Sequence, residues 1–185
     1  MNATLLPEIL ETERLVLRPW QFEDINDVLA YANDPEWARF LPVPQPYGKS
    51  DATEFIARQI LTDRTVHPIW AIEHNKQVVG GINVRFLFAR GLAAMGWSIA
   101  RESWGQGLAT EAARAIIDAA FDAHVNLNRI EATAHTENYA SLRVMEKIGM
   151  SREGTLRLSR ILRGEPHDEA YFAIVRREWN GARNA

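Results

Sequence analysis

Short stretches of the chain alternate apolar and polar residues, and longer stretches repeat apolar residues every three or four positions. Alternation predicts strands, and the longer spacing predicts helices. The predicted strands are residues 13–19, 69–73, 78–86, 93–100, 129–135, 151–158 and 168–176. The predicted helices are residues 22–32, which end at Asn33-Asp34-Pro35, a segment capped by Ser50 or Asp51 and running to Leu61, residues 108–123 and residues 138–148.

The order of these elements indicates the fold class. One strand and two helices are followed by three strands, a helix, a strand, a helix and two strands. Two strand-helix-strand units in the second half predict a partly parallel sheet. We therefore expect a single α/β (α+β) domain over residues 1–185, with a mixed central sheet of about six to seven strands flanked by about four helices.

Composition and charge narrow the function classes. Hydrophobic residues make up 46% of the chain, enough for a sizeable core, and the net charge is −3. That balance argues against broad nucleic-acid binding, which needs a basic face. The absence of cysteine excludes disulfides, thiolate metal sites and a cysteine nucleophile. We expect neither a nucleic-acid partner nor a metal.

No segment of the sequence has the pattern of a membrane or export signal. The first six residues have no basic region followed by a long apolar run, so they do not resemble a signal peptide. No apolar stretch approaches the roughly 20 residues needed to span a bilayer. These features predict a cytoplasmic protein.

The segment 97–112 carries the clearest chemical signal. Within it, a predicted strand enters the turn Gly105-Gln106-Gly107, which opens a long helix. Glycines let a backbone approach a ligand closely, and the first amides of a helix have no partner within it. Together with the helix dipole, these amides favour an anionic group such as a pyrophosphate.

Two common phosphate-binding motifs do not fit this turn. A dinucleotide fingerprint requires glycine or alanine where Thr110 stands. A P-loop requires glycine and lysine followed by serine or threonine, and that sequence is absent. At this point, a turn whose glycines serve geometry alone and a turn that binds phosphate are both open.

Four motifs extend the interpretation over nearly the whole chain. They are TERLVLRP at 12–19, WGQGLATEA at 104–112, NRIEA at 128–132 and ENYASLRVMEKIGM at 137–150. In this order and spacing, the sequence resembles the GNAT acetyltransferases, and within them the RimJ/RimL-like branch that acetylates N-termini of ribosomal proteins. The resemblance implies direct acetyl transfer from acetyl-CoA to an amine in a ternary complex.

The resemblance also implies a coenzyme A site formed largely by backbone amides. In the family, the glycine turn holds the pyrophosphate, and the preceding strand splays from a parallel neighbour and pairs with the pantetheine arm. Trp104 stands where the family usually has glutamine or arginine. The residues assigned to acetyl-CoA in this way are Ser98, Ile99, Ala100, Gly105, Gln106, Gly107, Leu108, Ala109, Thr110, Asn138, Arg143 and Lys147.

The catalytic residues follow the family less closely. Many members place a tyrosine seven residues after the conserved asparagine as proton donor to sulfur, and here that residue is Met145. The branch substitutes a serine three residues after the asparagine. We therefore expect Ser141 and Asn138 to act in catalysis, while helix capping by Asn138 is the structural alternative.

The general base is less well defined by the sequence. A glutamate found in some members maps to Arg160, which is not a base. The candidate base is Glu131 or His135, because both lie on one face of a predicted strand beside the cleft. A water relay is the alternative.

Five aromatic residues are candidates to line the acceptor site, with core packing as their alternative role. They are Trp37, Phe40, Tyr47, Trp70 and Trp97. The proline-bearing loop 41–50 is expected to form a lid or a peptide rim there. The resemblance favours a protein N-terminus as acceptor. The alternatives are a small amine such as an amino acid, polyamine or antibiotic, or a non-catalytic acyl-CoA sensor. Monomer and homodimer are both open.

Overall fold

The computed structural model describes residues 5–183, in which eight strands form one sheet. The strands are β1 (Leu10–Glu11), β2 (Leu15–Arg18), β3 (Ile69–His74), β4 (Gln77–Leu87), β5 (Leu92–Ile99), β6 (Arg129–His135), β7 (Ser151–Leu162) and β8 (Glu165–Val175). The α-helices are α1 (Ile25–Ala32), α2 (Pro35–Ala38), α3 (Lys49–Leu61), α4 (Leu108–Ala123), α5 (Tyr139–Lys147) and α6 (Arg176–Arg183). None of these helices is long and apolar enough to cross a membrane.

The sheet is mixed, as predicted, with the spatial order β1-β2-β3-β4-β5-β6-β8-β7. Only the β5–β6 pair is parallel among the strand pairs of the described chain. The sheet has slightly more strands than expected, because the two-residue β1 is too short to show alternation. The short helix α2 and the terminal helix α6 were not predicted. Asp34 and Pro35, expected only to end α1, also begin α2, with Asp34 as its N-cap and Pro35 as its first residue.

Helix α4 shows how the periodic pattern becomes a packed layer. The predicted apolar face is buried against the sheet in the main core, with every member no more than 2% exposed. Those residues are Ala112, Ala113, Ile116, Ile117, Ala120 and Phe121. Burying each large side chain of this kind contributes about 1.5–3 kcal/mol, so the face fixes the helix, and with it the preceding turn, on the sheet.

Strands β5 and β6 separate after a short parallel contact. Their pairing joins Leu92 to Arg129, Ala93 to Ile130 and Ala94 to Glu131, and goes no further. The remaining halves of the two strands, 95–99 and 132–135, therefore diverge and leave an opening in the sheet. This geometry confirms the predicted splayed parallel strands.

Two of the aromatic residues assigned to the acceptor site belong to the core instead. Trp70 is fully buried, and its indole donates to the carbonyls of Pro7 and Glu8. Tyr47 is buried in a second, smaller core cluster, which it forms with residues of α1 and α3. The prediction is wrong for both, because aromatic character alone does not distinguish a core position from a cavity wall.

Candidate active site

The opening between β5 and β6 leads into two adjoining cavities. The turn cavity, of about 560 Å³, is bordered by the glycine turn and by α5. The inner cavity, of about 330 Å³, is bordered by β3, β4, β5 and the strands beyond the opening. The residues lining both cavities are Phe40, Leu41, Trp97, Ser98, Asn138 and Ser141. Two ligands bound in the two cavities would therefore meet beside Asn138 and Ser141.

The start of α4 faces the turn cavity with unpaired amides. Gly105 and Gly107 have φ angles of 76° and 80°, in the left-handed region that favours glycine. Gly107 is the N-cap residue and has no side chain to cover the helix end. The helical hydrogen bonds begin only at the Glu111 amide, which donates to the Gly107 carbonyl at 3.0 Å. The preceding amides are therefore available to an anionic group.

Most residues assigned to acetyl-CoA from the sequence line the turn cavity. They are Ser98, Ile99, Gly105, Gly107, Leu108, Ala109, Thr110, Asn138, Arg143 and Lys147. Ala100 and Gln106 do not line it. The assignment of Ala100 is corrected, whereas the assignment of the Gln106 backbone amide stays a prediction. The Ala100 amide donates instead to the Val79 carbonyl at 2.7 Å. The Gln106 side-chain amide donates to the Glu102 carbonyl at 3.3 Å.

The motifs at 12–19 and 104–112 meet in a hydrogen-bonded cluster beside the glycine turn, which we call the brace (Thr12, Arg14 and Glu111). Glu111 of α4 accepts hydrogen bonds from the Thr12 hydroxyl at 2.6 Å and from the Arg14 backbone and side chain. Arg14 also donates to the carbonyl of Gln106 within the turn, at 2.9 Å. Burial would raise the pKa of Glu111, but the hydrogen bonds from Thr12 and Arg14 and the charge of Arg14 outweigh it and lower that pKa.

Replacing Glu111 with glutamine is expected to weaken acetyl-CoA binding without removing a ligand contact. The brace would lose its charge, at a cost of about 1–2 kcal/mol in stability, and the turn would loosen. We expect the dissociation constant for acetyl-CoA, measured by titration, to rise about threefold to tenfold.

The pH dependence of unfolding checks the same brace. Because the folded-state pKa of Glu111 is lowered, its stabilisation is present at neutral pH and disappears as pH falls through the folded pKa. The stability gap between wild type and Glu111→Gln should therefore narrow progressively as pH falls below about 4.3, the ordinary pKa of a glutamate, and through the lower folded-state pKa. A gap that does not narrow would show that the loss comes from packing alone.

Trp104 fastens the glycine turn to the end of β5. Its indole N–H donates to the Ile99 carbonyl at 2.6 Å, and its half-exposed ring lines the turn cavity. The Ala100 amide points to β4, so the Ile99 amide, which alternates with it along the strand, points toward the opening. This amide is placed to stabilise negative charge on a carbonyl oxygen there.

Asn138 and Ser141 lie at the junction of the two cavities, at the start of α5. The Asn138 side chain accepts from the Ser141 backbone amide at 3.1 Å and caps the helix. The capping role anticipated for Asn138 is thus present. Within residues 5–183 the Ser141 hydroxyl has no hydrogen-bond partner, and it lines both cavities.

The segment Pro35–Leu41, which we call the roof, borders both cavities and is held by several side-chain contacts. Arg163, in the turn between β7 and β8, donates to the carbonyls of Ala38, Arg39 and Leu41. An exposed ion pair joins Arg39 to Glu137 at 3.5 Å, and the half-buried Asp34, directly before the roof, lies 3.4 Å from Arg101. The roof, rather than the whole loop 41–50, borders the site, because Tyr47 anchors the rest of that loop to Asn33.

The inner cavity combines an aromatic wall with many polar side chains. Of the predicted aromatic residues, Phe40 and Trp97 line it, while Trp37 lines the turn cavity alone. Trp20 and Phe55, which were not predicted from the sequence, pack edge to face on the same wall. An aromatic pattern in the sequence could not separate these residues from core positions.

Four charged or titratable side chains share the wall of the inner cavity beyond the opening: His135, Arg160, His167 and Glu169. They come together because His135 is paired with Glu169 across β6 and β8, and Arg160 with His167 across β7 and β8. Glu169, only 8% exposed, was not predicted from the sequence. A sequence feature that points to Glu169 is its position two residues after His167, which places both side chains on one face of a strand.

Glu131 does not line either cavity, so its assignment as a candidate base is wrong. Its carboxylate lies 3.4 Å from Arg129 and contacts Tyr171. Glu131 does share a face of β6 with His135, as predicted. It lies four residues earlier along the strand, however, and only His135 lines the cavity beyond the opening.

Comparison with known proteins identifies the family. The GNAT acetyltransferase domain matches residues 14–151. An uncharacterized N-acetyltransferase of Bacillus subtilis, YnaD, is 32% identical over 92% of this chain and 99% of its own. An uncharacterized N-acetyltransferase of Bacillus licheniformis, p20, is 30% identical over 94% of this chain and 99% of its own. The chain belongs to the GNAT acetyltransferase family, and it is an N-acetyltransferase of that type.

Solved structures agree with the fold. A GNAT-family acetyltransferase from Bacillus anthracis is 30% identical, with a TM-score of 0.79 over 90% of this chain and 98% of its own. RimL, a ribosomal L7/L12 α-N-protein acetyltransferase, has a TM-score of 0.79 over 92% of this chain and 99% of its own, at 18% identity. A partial match, 38% identical over 48% of each chain, is to the Bacillus subtilis protein named "Putative ribosomal N-acetyltransferase YdaF".

Proposed function

We propose that this chain transfers the acetyl group of acetyl-CoA directly to a primary amine, and that the acceptor is the N-terminal α-amine of a protein such as a ribosomal protein. The observation that carries the proposal is the junction of two cavities at Asn138 and Ser141. One cavity has the uncapped helix start that suits a pyrophosphate, and the other has the size and mixed lining of an acceptor pocket.

The residues of the turn cavity fit acetyl-CoA. The amides after Gly107 would hold the pyrophosphate, and Arg143 and Lys147, one helical turn apart on α5, would contact phosphate oxygens. Bound in this way, acetyl-CoA supplies the activated acetyl group. The open edge of β5 at Ser98 and Ile99 would receive the pantetheine arm and bring the thioester to the junction.

At the junction, groups of the chain would act on the reaction. The Ile99 amide stabilises charge on the thioester oxygen as the amine attacks. The C–N bond forms and the C–S bond breaks. The Ser141 hydroxyl donates a proton to the departing sulfur and regains one from the nitrogen or from solvent, so that free coenzyme A leaves as a thiol.

The proposed acceptor rests on two kinds of support. The names of YdaF and RimL mention ribosomal targets, although the likeness to RimL concerns the fold alone. The inner cavity, of about 330 Å³, lies near the lower end of the range for ligand pockets and suits one terminal residue better than a folded segment. Small amines and a non-catalytic acyl-CoA sensor are the alternatives that the test must separate.

Coenzyme A release from acetyl-CoA, followed with a thiol reagent, tests the proposal. The acceptor panel holds peptides with free N-termini, the same peptides with blocked N-termini, a polyamine, free amino acids and an aminoglycoside. Release that requires a free peptide N-terminus supports the proposal. Release with a small amine alone assigns a small-molecule acceptor, and acetyl-CoA binding with no release for any acceptor indicates a sensor.

The variant Ser141→Ala is expected to lower kcat about 10- to 100-fold, because the thiolate would leave without its proton donor. The dissociation constant for acetyl-CoA should not change, since the Ser141 backbone amide keeps its bond to Asn138. Steady-state turnover and acetyl-CoA titration measure the two quantities. The matched control is Ser50→Ala, an exposed serine on α3 outside both cavities. Unchanged turnover in Ser141→Ala would remove the proton-donor role.

A further inference from the structure

Glu169 is a buried carboxylate on the wall of the inner cavity. The Thr133 hydroxyl and the Arg160 guanidinium donate to its Oε1 atom at 3.2 and 3.3 Å. The Ser159 hydroxyl donates to Oε2 at 3.1 Å. Two carboxylate oxygens offer about four lone-pair positions, so Oε2 can accept one more hydrogen bond. Among the described residues that line the inner cavity, Glu169 is the only carboxylate.

The neighbouring histidines have no free lone pair to offer. The backbone amide of Glu137 donates to His135 Nδ1 at 3.0 Å, which places the neutral ring's proton on Nε2. That Nε2–H group then donates to His167 Nδ1, 3.0 Å away. Each neutral imidazole has a single acceptor nitrogen, and both are occupied. His135, one of the two candidate bases from the sequence, is therefore poorly arranged to take a proton from an amine.

We propose that Glu169 is the proton acceptor for the amine, a role that rests on the proposed acetyl transfer. An ammonium group in the inner cavity would donate to Oε2 and give up one proton to the carboxylate. The neutral amine then attacks the thioester carbon. Its second departing proton goes to sulfur by way of Ser141, and Glu169 later releases its own proton to solvent. The products are the acetylated amine, coenzyme A thiol and one proton.

The surroundings of Glu169 hold its carboxylate in one orientation between turnovers. Arg160, which stands where the sequence predicts the family's glutamate, is 3.3 Å from the Glu169 carboxylate. Hydroxyls from β6 and β7 hold the two oxygens in place. The carboxylate of this cavity thus lies on β8. The position on β7 to which the family's glutamate maps is occupied by Arg160. The charged or titratable groups facing Glu169 are Arg160, His135 and His167.

The variant Glu169→Gln tests the role, because it keeps the shape and one acceptor oxygen but cannot take a proton. With a peptide α-amine as acceptor, we expect kcat/KM to fall about 100-fold at neutral pH. The defect should shrink as pH rises above about 8, where an α-amine loses its proton to water. Acetyl-CoA affinity should stay the same.

An acceptor that is already uncharged at neutral pH, such as an aminooxy or hydrazide analogue of the peptide, sharpens the test. Glu169→Gln should acetylate it at close to the wild-type rate, a recovery that loss of packing would not produce. The rival variant Glu131→Gln should match wild type with both acceptors. A loss in Glu169→Gln that is equal for both acceptors and at all pH values, or no loss at all, overturns the assignment while leaving acetyl transfer intact. A wild-type chain that acetylates no amine overturns both.

Discussion

Replacing Gly107 with valine is expected to raise the dissociation constant for acetyl-CoA at least about 100-fold. Gly107 has a φ of 80°, where an L-residue costs about 1–2 kcal/mol and a β-branched one more. A Cβ atom at Gly107 would meet only the Arg14 guanidinium, at an ordinary 3.7 Å, so the fold has room for it. The strain would instead be relieved by rotation of the turn, which turns the amides away from the phosphates at about 1.5–3 kcal/mol for each bond lost.

Gly164→Val is the matched control for this strain. Gly164 has a φ of 87°, a Cβ atom added to it would meet nothing within 4 Å, and it lines neither cavity. Its substitution should lower stability by a similar amount and change acetyl-CoA affinity far less than Gly107→Val does, because no amide of its turn borders the turn cavity. Isothermal titration with acetyl-CoA and urea unfolding measure the two effects for both variants. Equal affinities for Gly107→Val and wild type would contradict a phosphate-binding role for the turn.

Replacing Arg18 with methionine is expected to lower the free energy of unfolding by about 3 kcal/mol. Arg18, on β2, donates to both oxygens of the buried Asp24 and, at 2.7 Å, to Glu73 on β3. The hydrogen bond to Asp24 is the main cause that raises the pKa of Arg18, and the bond to Glu73 adds to it. Methionine would fill the same space and leave two carboxylates without a counter-ion, one of them almost fully buried.

Arg39→Met provides the comparison with an exposed ion pair. Arg39 lies 3.5 Å from Glu137, and both side chains are more than half exposed. Exposed pairs of this kind contribute about 0–1 kcal/mol, so unfolding in urea should change little. If Arg18→Met unfolded at the same urea concentration as Arg39→Met, this partly buried triad would not be stabilising the fold.

The sequence predicts those parts of the fold that rest on local periodicity. Helix α4 and strand β6 lie where their patterns place them, because each has an uninterrupted apolar face. Strand β1 and helix α2 were missed because two and four residues are too few for a period to show. The Arg18–Asp24–Glu73 triad shows a different limit, since its members are charged residues from β2, from the segment between β2 and α1, and from β3, which only tertiary contacts bring together.

The candidate site likewise has one part that the sequence predicts and another that it does not. The glycine turn can be predicted because left-handed glycines and a helix start leave a local signature. The wall of the inner cavity cannot, because Glu169, Thr133 and Arg160 come from three strands that only the register brings together. The expectation that Arg160 stands in place of a carboxylate followed from counting along one strand. Glu169 on the neighbouring strand supplies a carboxylate to the same cavity.

Acetyl transfer is tested most directly by supplying isotopically labelled acetyl-CoA and a peptide, and then locating the label in the peptide by mass spectrometry. We expect the purified chain to place the label on the N-terminal nitrogen and to release coenzyme A in equal amount, and Gly107→Val to do so only at far higher acetyl-CoA concentrations. Label on no amine, from a chain that binds acetyl-CoA tightly, would contradict the proposed transfer.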